Sequence, residues 1–184
     1  MRVANAAHNS NYGDIMCKRK LLVVFVLIYS IVSVAEAQWA AFSEANGRFK
    51  ALLPGKPLQS SNSPPTFVLS TESALYAISY TDGHEGGDWA ETLKAEKDSA
   101  VSGLKGKVLQ EKDISLDGFR GRSYSFEGDM PSGAIKGPIL GELRLYFNGH
   151  RFYMLMAVVP KGIKNEDVSK FMNSFQLIST SGGH

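Results

Sequence analysis

The chain has 184 residues, and 43% of them are hydrophobic, which is enough to build a packed core and excludes an intrinsically disordered chain. A single cysteine excludes a disulfide framework. With 20 Lys and Arg against 18 Asp and Glu the formal net charge is only +2, too balanced to draw the protein to nucleic acid or to an anionic membrane.

The first element is Lys18-Arg19-Lys20, an apolar run over 21–34, and the tripeptide Ala35-Glu36-Ala37. A basic segment, an apolar segment and a small-x-small exit in that order predict a secretory signal peptide over 1–37, cleaved before Gln38. The run is shorter than the roughly 18 to 20 residues a membrane-crossing helix needs, so cleavage is expected over anchoring. Met16-Cys17-Lys18-Arg19-Lys20 makes an ordinary start for such a signal, and Met16 is the expected initiator. Cys17 lies upstream of the apolar run, where it cannot carry a lipoprotein anchor. The leader holds four of the 20 basic residues (Arg2, Lys18, Arg19, Lys20) and two of the 18 acidic ones (Asp14, Glu36), leaving 16 of each. The mature segment, 38–184, is therefore neutral and thiol-free, and its length fits one domain.

Two short strands are predicted on either side of Asn46-Gly47, over 39–44 and 48–54, with a positive φ expected at the turn. A polar loop follows over 60–65, then a short strand over 66–70. A clearer one covers 75–80, with Tyr76, Ile78 and Tyr80 on one face. Trp89, Leu93, Ala100 and Leu104 recur at helical spacing, which predicts a helix over 89–104 with Asp88 as its N-cap and Gly106 just past its end. Strands over 108–116 and 119–126 meet at Asp117-Gly118, and a glycine- and serine-rich loop over 128–137 follows. The strongest pair, 139–147 and 151–159, turns at Asn148-Gly149.

Phe152, Met154, Met156 and Val158 alternate with Tyr153, Leu155, Ala157 and Val159, so the last of these strands is apolar on both faces. Such a strand is central and needs cover on both sides. A second helix over 165–175, capped by Asn165 and with Val168, Phe171, Met172 and Phe175 inward, supplies the other cover. The tail over 179–184 is expected to fray. The expected fold class is α+β, a mostly antiparallel sheet with helices on both faces in an α/β/α sandwich.

The entry Trp39-Ala-Ala-Phe-Ser, the segment Gly47-Arg-Phe-Lys-Ala-Leu-Leu-Pro-Gly-Lys-Pro57 and Tyr76-Ala-Ile-Ser-Tyr-Thr-Asp82 resemble exported bacterial domains of the PsbP family. The turn Leu116-Asp-Gly-Phe-Arg-Gly-Arg122, the strand Arg151-Phe-Tyr-Met-Leu and the terminal Phe171-Met-Asn-Ser-Phe-Gln-Leu177 fit the same pattern. The resemblance implies a PsbP-like fold over 38–184, related to PsbP and to DcrB-like envelope proteins. It also implies a non-catalytic binding or accessory role in the cell envelope, secreted or periplasmic. It transfers no reacting residue, because the shared pattern is one of turns and core positions.

Two clusters carry candidate chemistry. Asp82, His84, Glu85 and Asp88 place an imidazole and three carboxylates in one loop, N and O donors suited to Zn²⁺ or Mn²⁺, and a metal-dependent hydrolase using the 82–88 loop is the alternative function. The helical zinc-protease motif needs a second His where Asp88 stands, so the bland reading is a loop whose Asp88 caps the helix. Arg120, Arg122 and Tyr124 share one strand face, and Arg144 with Tyr146 another; together they are candidate ligands for an anion. Their bland reading is surface arginines matched to Glu127 and Glu142. Asp113 and Asp117 as an acid–base pair are outweighed by the turn chemistry of Asp117-Gly118. His150 is expected to be an exposed turn residue. No phosphate loop, dinucleotide fingerprint or nucleophile elbow is present. The protein is accordingly read as no enzyme, with no cofactor. Its expected partner is an envelope protein or small ligand, with a membrane only if the leader is retained.

Overall fold

The computed structural model describes residues 38–83, 88–163 and 166–178. The expected leader, its start at Met16, His84 and Glu85, the Asn165 cap and the 179–184 tail all lie outside the described residues. Among the described residues the order is β1 (Ala40–Glu44), β2 (Phe49–Leu53), β3 (Leu58–Asn62), β4 (Pro65–Ser70), β5 (Leu75–Asp82), α1 (Trp89–Gly103), β6 (Lys107–Leu116), β7 (Phe119–Met130), β8 (Gly137–Phe147), β9 (Arg151–Pro160), α2 (Glu166–Ser174) and β10 (Gln176–Leu177).

The strands form a three-stranded sheet, β1-β2-β10, and a seven-stranded sheet, β3-β4-β5-β9-β8-β7-β6, and every pairing is antiparallel. The two-sided apolar strand β9 occupies the middle of the larger sheet, as its pattern requires. Its alternation feeds two separate clusters. Phe152 and Val158, with Met154 and Met156 partly buried beside them, join Leu143, Leu145, Tyr124 and Phe126 beneath Leu93 and Val101 of α1. Tyr153, Leu155, Ala157 and Val159 join Tyr76, Ile78 and Tyr80 of β5 on the other face.

The second face is covered differently from the expectation of a lone helix. Phe171 and Met172 of α2, with Phe175 just beyond it, share that cluster with Phe49, Ala51 and Leu53 of β2, so α2 and the three-stranded sheet bury it together. The reason is size: α2 has nine residues, too short to shield the aromatic row on its own.

Other departures have local causes. β3, LQSSN, carries almost no burial and exists through its pairing with β4, so hydrophobic alternation cannot reveal it. β7 runs on to Met130 and β8 starts at Gly137, both inside the expected glycine-rich loop. Gly128 there marks close approach instead of a break: a Cβ at this position would lie 2.7 Å from the Leu104 carbonyl oxygen at the end of α1. Asp88 caps α1 as predicted, its carboxylate accepting from the Ala90 N–H at 2.9 Å. The left-handed residue after the helix is Lys105, at φ 49°, one position before the expected Gly106, whose N–H donates back to the Val101 carbonyl at 2.8 Å.

Candidate functional site

Antiparallel pairing carries the Asp117-Gly118 and Asn148-Gly149 turns to one end of the larger sheet, where the β1–β2 turn of the smaller sheet joins them. The β1–β2 turn, the Asp117-Gly118 turn, the Asn148-Gly149 turn, the end of β5 and the segment just after β10 surround a cleft of about 460 Å³. Arg48, Asp82, Asp117, Asn148, His150 and Arg151 line it with polar groups, while Phe119, Leu177 and Ile178 contribute apolar wall.

Arg151 is the organising residue. Its Nε and Nη2 donate to the two carboxylate oxygens of Asp82, and Nη1 donates to the Gly47 carbonyl at 3.0 Å. The guanidinium lies 5.4 Å from the centroid of the Tyr80 ring, and the Tyr153 hydroxyl donates to the same Gly47 carbonyl at 2.6 Å. One arginine thus ties β5, β9 and the β1–β2 turn together with charge-assisted bonds. The hydrogen bond from Arg151, helped by the positive charge of Arg151 and Arg48, holds the Asp82 carboxyl below its ordinary value against the opposing effect of burial. The same bond raises the Arg151 guanidinium above its ordinary value.

The expected positive φ at Asn46-Gly47 falls on Arg48 instead, at 54°. Gly47 is required for space, since its Cβ would meet the Phe49 ring at 2.6 Å and Tyr80 Cδ1 at 2.9 Å. The Arg48 carbonyl accepts from Ile178 N–H at 2.7 Å, fixing the cleft's apolar wall to its cationic rim. Across the cleft, Asn148 Oδ1 accepts from the backbone N–H of His150 at 3.1 Å and of Arg151 at 2.8 Å, closing the turn that presents the imidazole. Among the described residues the Arg48 and His150 side chains enter no hydrogen bond or ion pair, and both are exposed.

The four sequence-selected anion ligands do not form one patch. Arg120 and Arg122 lie on the α1 face, their guanidinium carbons 5.8 and 5.4 Å from the Trp89 ring centroid. Arg122 pairs with Glu111 at 2.5 Å and Asp113 at 3.1 Å, in place of Glu127, which binds Lys161 at 3.0 Å. Tyr124 is buried beneath them, and its desolvation and the nearby Glu111 charge push the phenol up. Arg144 projects from the opposite face, where it pairs with Glu142 at 2.8 Å and donates to the Met172 carbonyl and Asn173 Oδ1 at the end of α2. That is a helix C-terminal role. The period-two rule separates these residues as soon as β7 and β8 pair, with Ser123 opposite Arg144.

The candidate metal loop is likewise divided. Asp82 is bound to Arg151 and Asp88 caps α1, while His84 and Glu85 lie outside the described residues. Among the described residues no three His, Cys, Asp or Glu gather as a metal site. Sequence reasoning missed Arg48, Arg151 and Tyr153. The signal available was that Asp117-Gly118 and Asn148-Gly149 fall at the same end of an antiparallel sheet, the end where β5 finishes.

No family model matches the sequence, and no curated protein matches it. Solved structures do. The chain is similar to the cyanobacterial PsbP of Synechocystis sp. PCC 6803 at 9% identity and a TM-score of 0.55, over 79% of this chain and 95% of that one. A Pseudomonas aeruginosa protein of unknown function aligns at 12% identity and TM-score 0.43, covering 67% of this chain and 84% of its own. A Bacteroides thetaiotaomicron protein aligns at 11% identity and TM-score 0.42, with 79% of this chain and 44% of that one covered. At these identities the likeness speaks to the fold, and only the first is close enough to argue from: the chain has a mixed α+β, mostly antiparallel, PsbP-like fold.

Proposed function

We propose that the protein is exported by its 1–37 leader and that the 38–184 domain works in the cell envelope as an accessory protein that binds a small anionic ligand, or an anionic group of a partner, without catalysing a reaction. The observation that carries this reading is the state of charge in the 460 Å³ cleft. Arg151 and Asp82 neutralise one another at the cleft, which leaves the exposed Arg48 and His150 to share it with the Asp117 carboxylate and with apolar Phe119, Leu177 and Ile178. A guanidinium and an imidazole sharing a cleft with apolar side chains suit an organic anion with a hydrophobic body. The wall residues are fixed by backbone hydrogen bonds, so the site is preorganised for binding.

The metal-hydrolase alternative has less support, because the two described members of its donor set are engaged in an ion pair and a helix cap. Among the described residues no helix is long and apolar enough to cross a membrane.

Calorimetric titration of the exported protein with hydrophobic carboxylates and phosphate monoesters tests the proposal. Removing a charge-assisted hydrogen bond is worth about 1.5–3 kcal/mol, so Arg48→Ala should weaken a bound anion by roughly tenfold or more. Arg122→Ala, on the other face, should leave affinity unchanged. Binding indifferent to Arg48 and His150, or turnover of a generic ester or peptide, overturns the reading.

A further inference from the structure

We propose that Gln38, once the leader is removed, closes into a pyroglutamate, so that the mature protein has a blocked, uncharged amino terminus. This rests on the proposed cleavage after Ala37. In the step itself the α-amine nitrogen of Gln38 attacks its own side-chain carbonyl carbon. A lactam C–N bond forms, the bond from Cδ to Nε2 breaks, and Nε2 leaves as ammonia with a proton taken from the α-amine. No oxidant, reductant or second substrate enters.

The structure supplies the conditions for this chemistry. Gln38 is exposed and precedes the first strand, which begins at Ala40, so its side chain has room to fold back onto its own α-amine and close the five-membered ring. The next residue is pinned. Trp39 packs partly buried against the second-face cluster, edge-on to Tyr76 with ring centroids 6.1 Å apart. On the Trp39 ring sits the Lys170 ammonium, 4.4 Å from the centroid. The folded body therefore starts one residue after the expected scission, leaving Gln38 as a single projecting residue with no tail to be trimmed away.

Charge favours the closed form in the same place. A free α-ammonium on residue 38 would stand one residue from the indole that Lys170 already occupies, a like-charge neighbour. Lactam formation removes that charge and leaves the cation–π contact undisturbed.

The test is mass spectrometry and stepwise N-terminal degradation of protein recovered after export from cells expressing the full chain, beside a Gln38→Ala variant. The expected amino-terminal peptide begins at residue 38, is lighter by one ammonia than the glutamine form, and resists stepwise degradation. The Gln38→Ala peptide should carry no such loss and should degrade normally. A peptide that begins at residue 38 with intact glutamine, or one trimmed past residue 38, overturns the pyroglutamate while leaving cleavage standing. A peptide still carrying Lys18 overturns cleavage and the pyroglutamate with it.

Discussion

At the scale of single residues, the Asp82–Arg151 fork converts a local charge pair into a pH-dependent tie between strands. Because Asp82 titrates below its ordinary 3.8 when folded, its contribution to stability is complete above that value and is lost as pH falls through the lower folded value. Asp82→Asn should therefore flatten the acid limb of the stability profile, measured by urea denaturation at stepped pH, while at neutral pH it lowers stability. An acid limb identical to that of the parent would show that the fork contributes nothing to folding. Gly47 is a matter of space instead of charge. Gly47→Ala forces a methyl group against Phe49 and Tyr80, and overpacking of this kind costs about 1–3 kcal/mol, read as a lowered urea midpoint with unchanged slope. Neither role is written wholly in the residue's own neighbourhood: Asp82 meets its partner 69 positions away, and Gly47 is crowded by Phe49 two residues on and by Tyr80 on another sheet.

Elements differ in how much of their cause is local. Helix α1 has its own N-cap in Asp88, so Asp88→Ala should remove about 1 kcal/mol of stability, with hydrogen exchange in the first turn of α1 rising more than exchange in β9. Helix α2 is finished from outside, by Arg144 of β8 donating to the Met172 carbonyl. The first kind of device is legible in sequence, and the second waits for the strands to pair. The same distinction explains β3 and β10. An exposed LQSSN segment and a two-residue strand hold their shape through hydrogen bonds to neighbours, and the alternation that betrays β5, β8 and β9 is absent from them.

For the molecule as a whole, the two core clusters lie on opposite faces of one sheet and share β8 and β9 as common walls. Damage on either face should then lower the stability of both. Leu143→Ala under α1 and Phe171→Ala in α2 should each cost about 2–5 kcal/mol, and each should shift one transition seen identically by tryptophan fluorescence and by far-ultraviolet dichroism. Separated transitions in either variant would mean that the faces fold independently. The cleft belongs to this scale too, since antiparallel pairing brings the β6–β7 and β8–β9 turns to one end of the larger sheet, and the bonds of Arg151 and Tyr153 to the Gly47 carbonyl hold the β1–β2 turn of the smaller sheet beside them.

By itself the sequence determined the periodic parts of this protein: the two-faced β9, the capped helix α1, the turns at Asp117-Gly118 and Asn148-Gly149, and an α+β chain resembling the PsbP fold. Each is a pattern within a dozen residues, where side-chain spacing and backbone preference act directly. Which arginines share a face with which acids, what covers the second face, and which cleft Arg48 and His150 come to share were decided by the tertiary structure. Those outcomes depend on strand register between distant segments, and a one-residue change in pairing moves a side chain to the opposite side of the sheet.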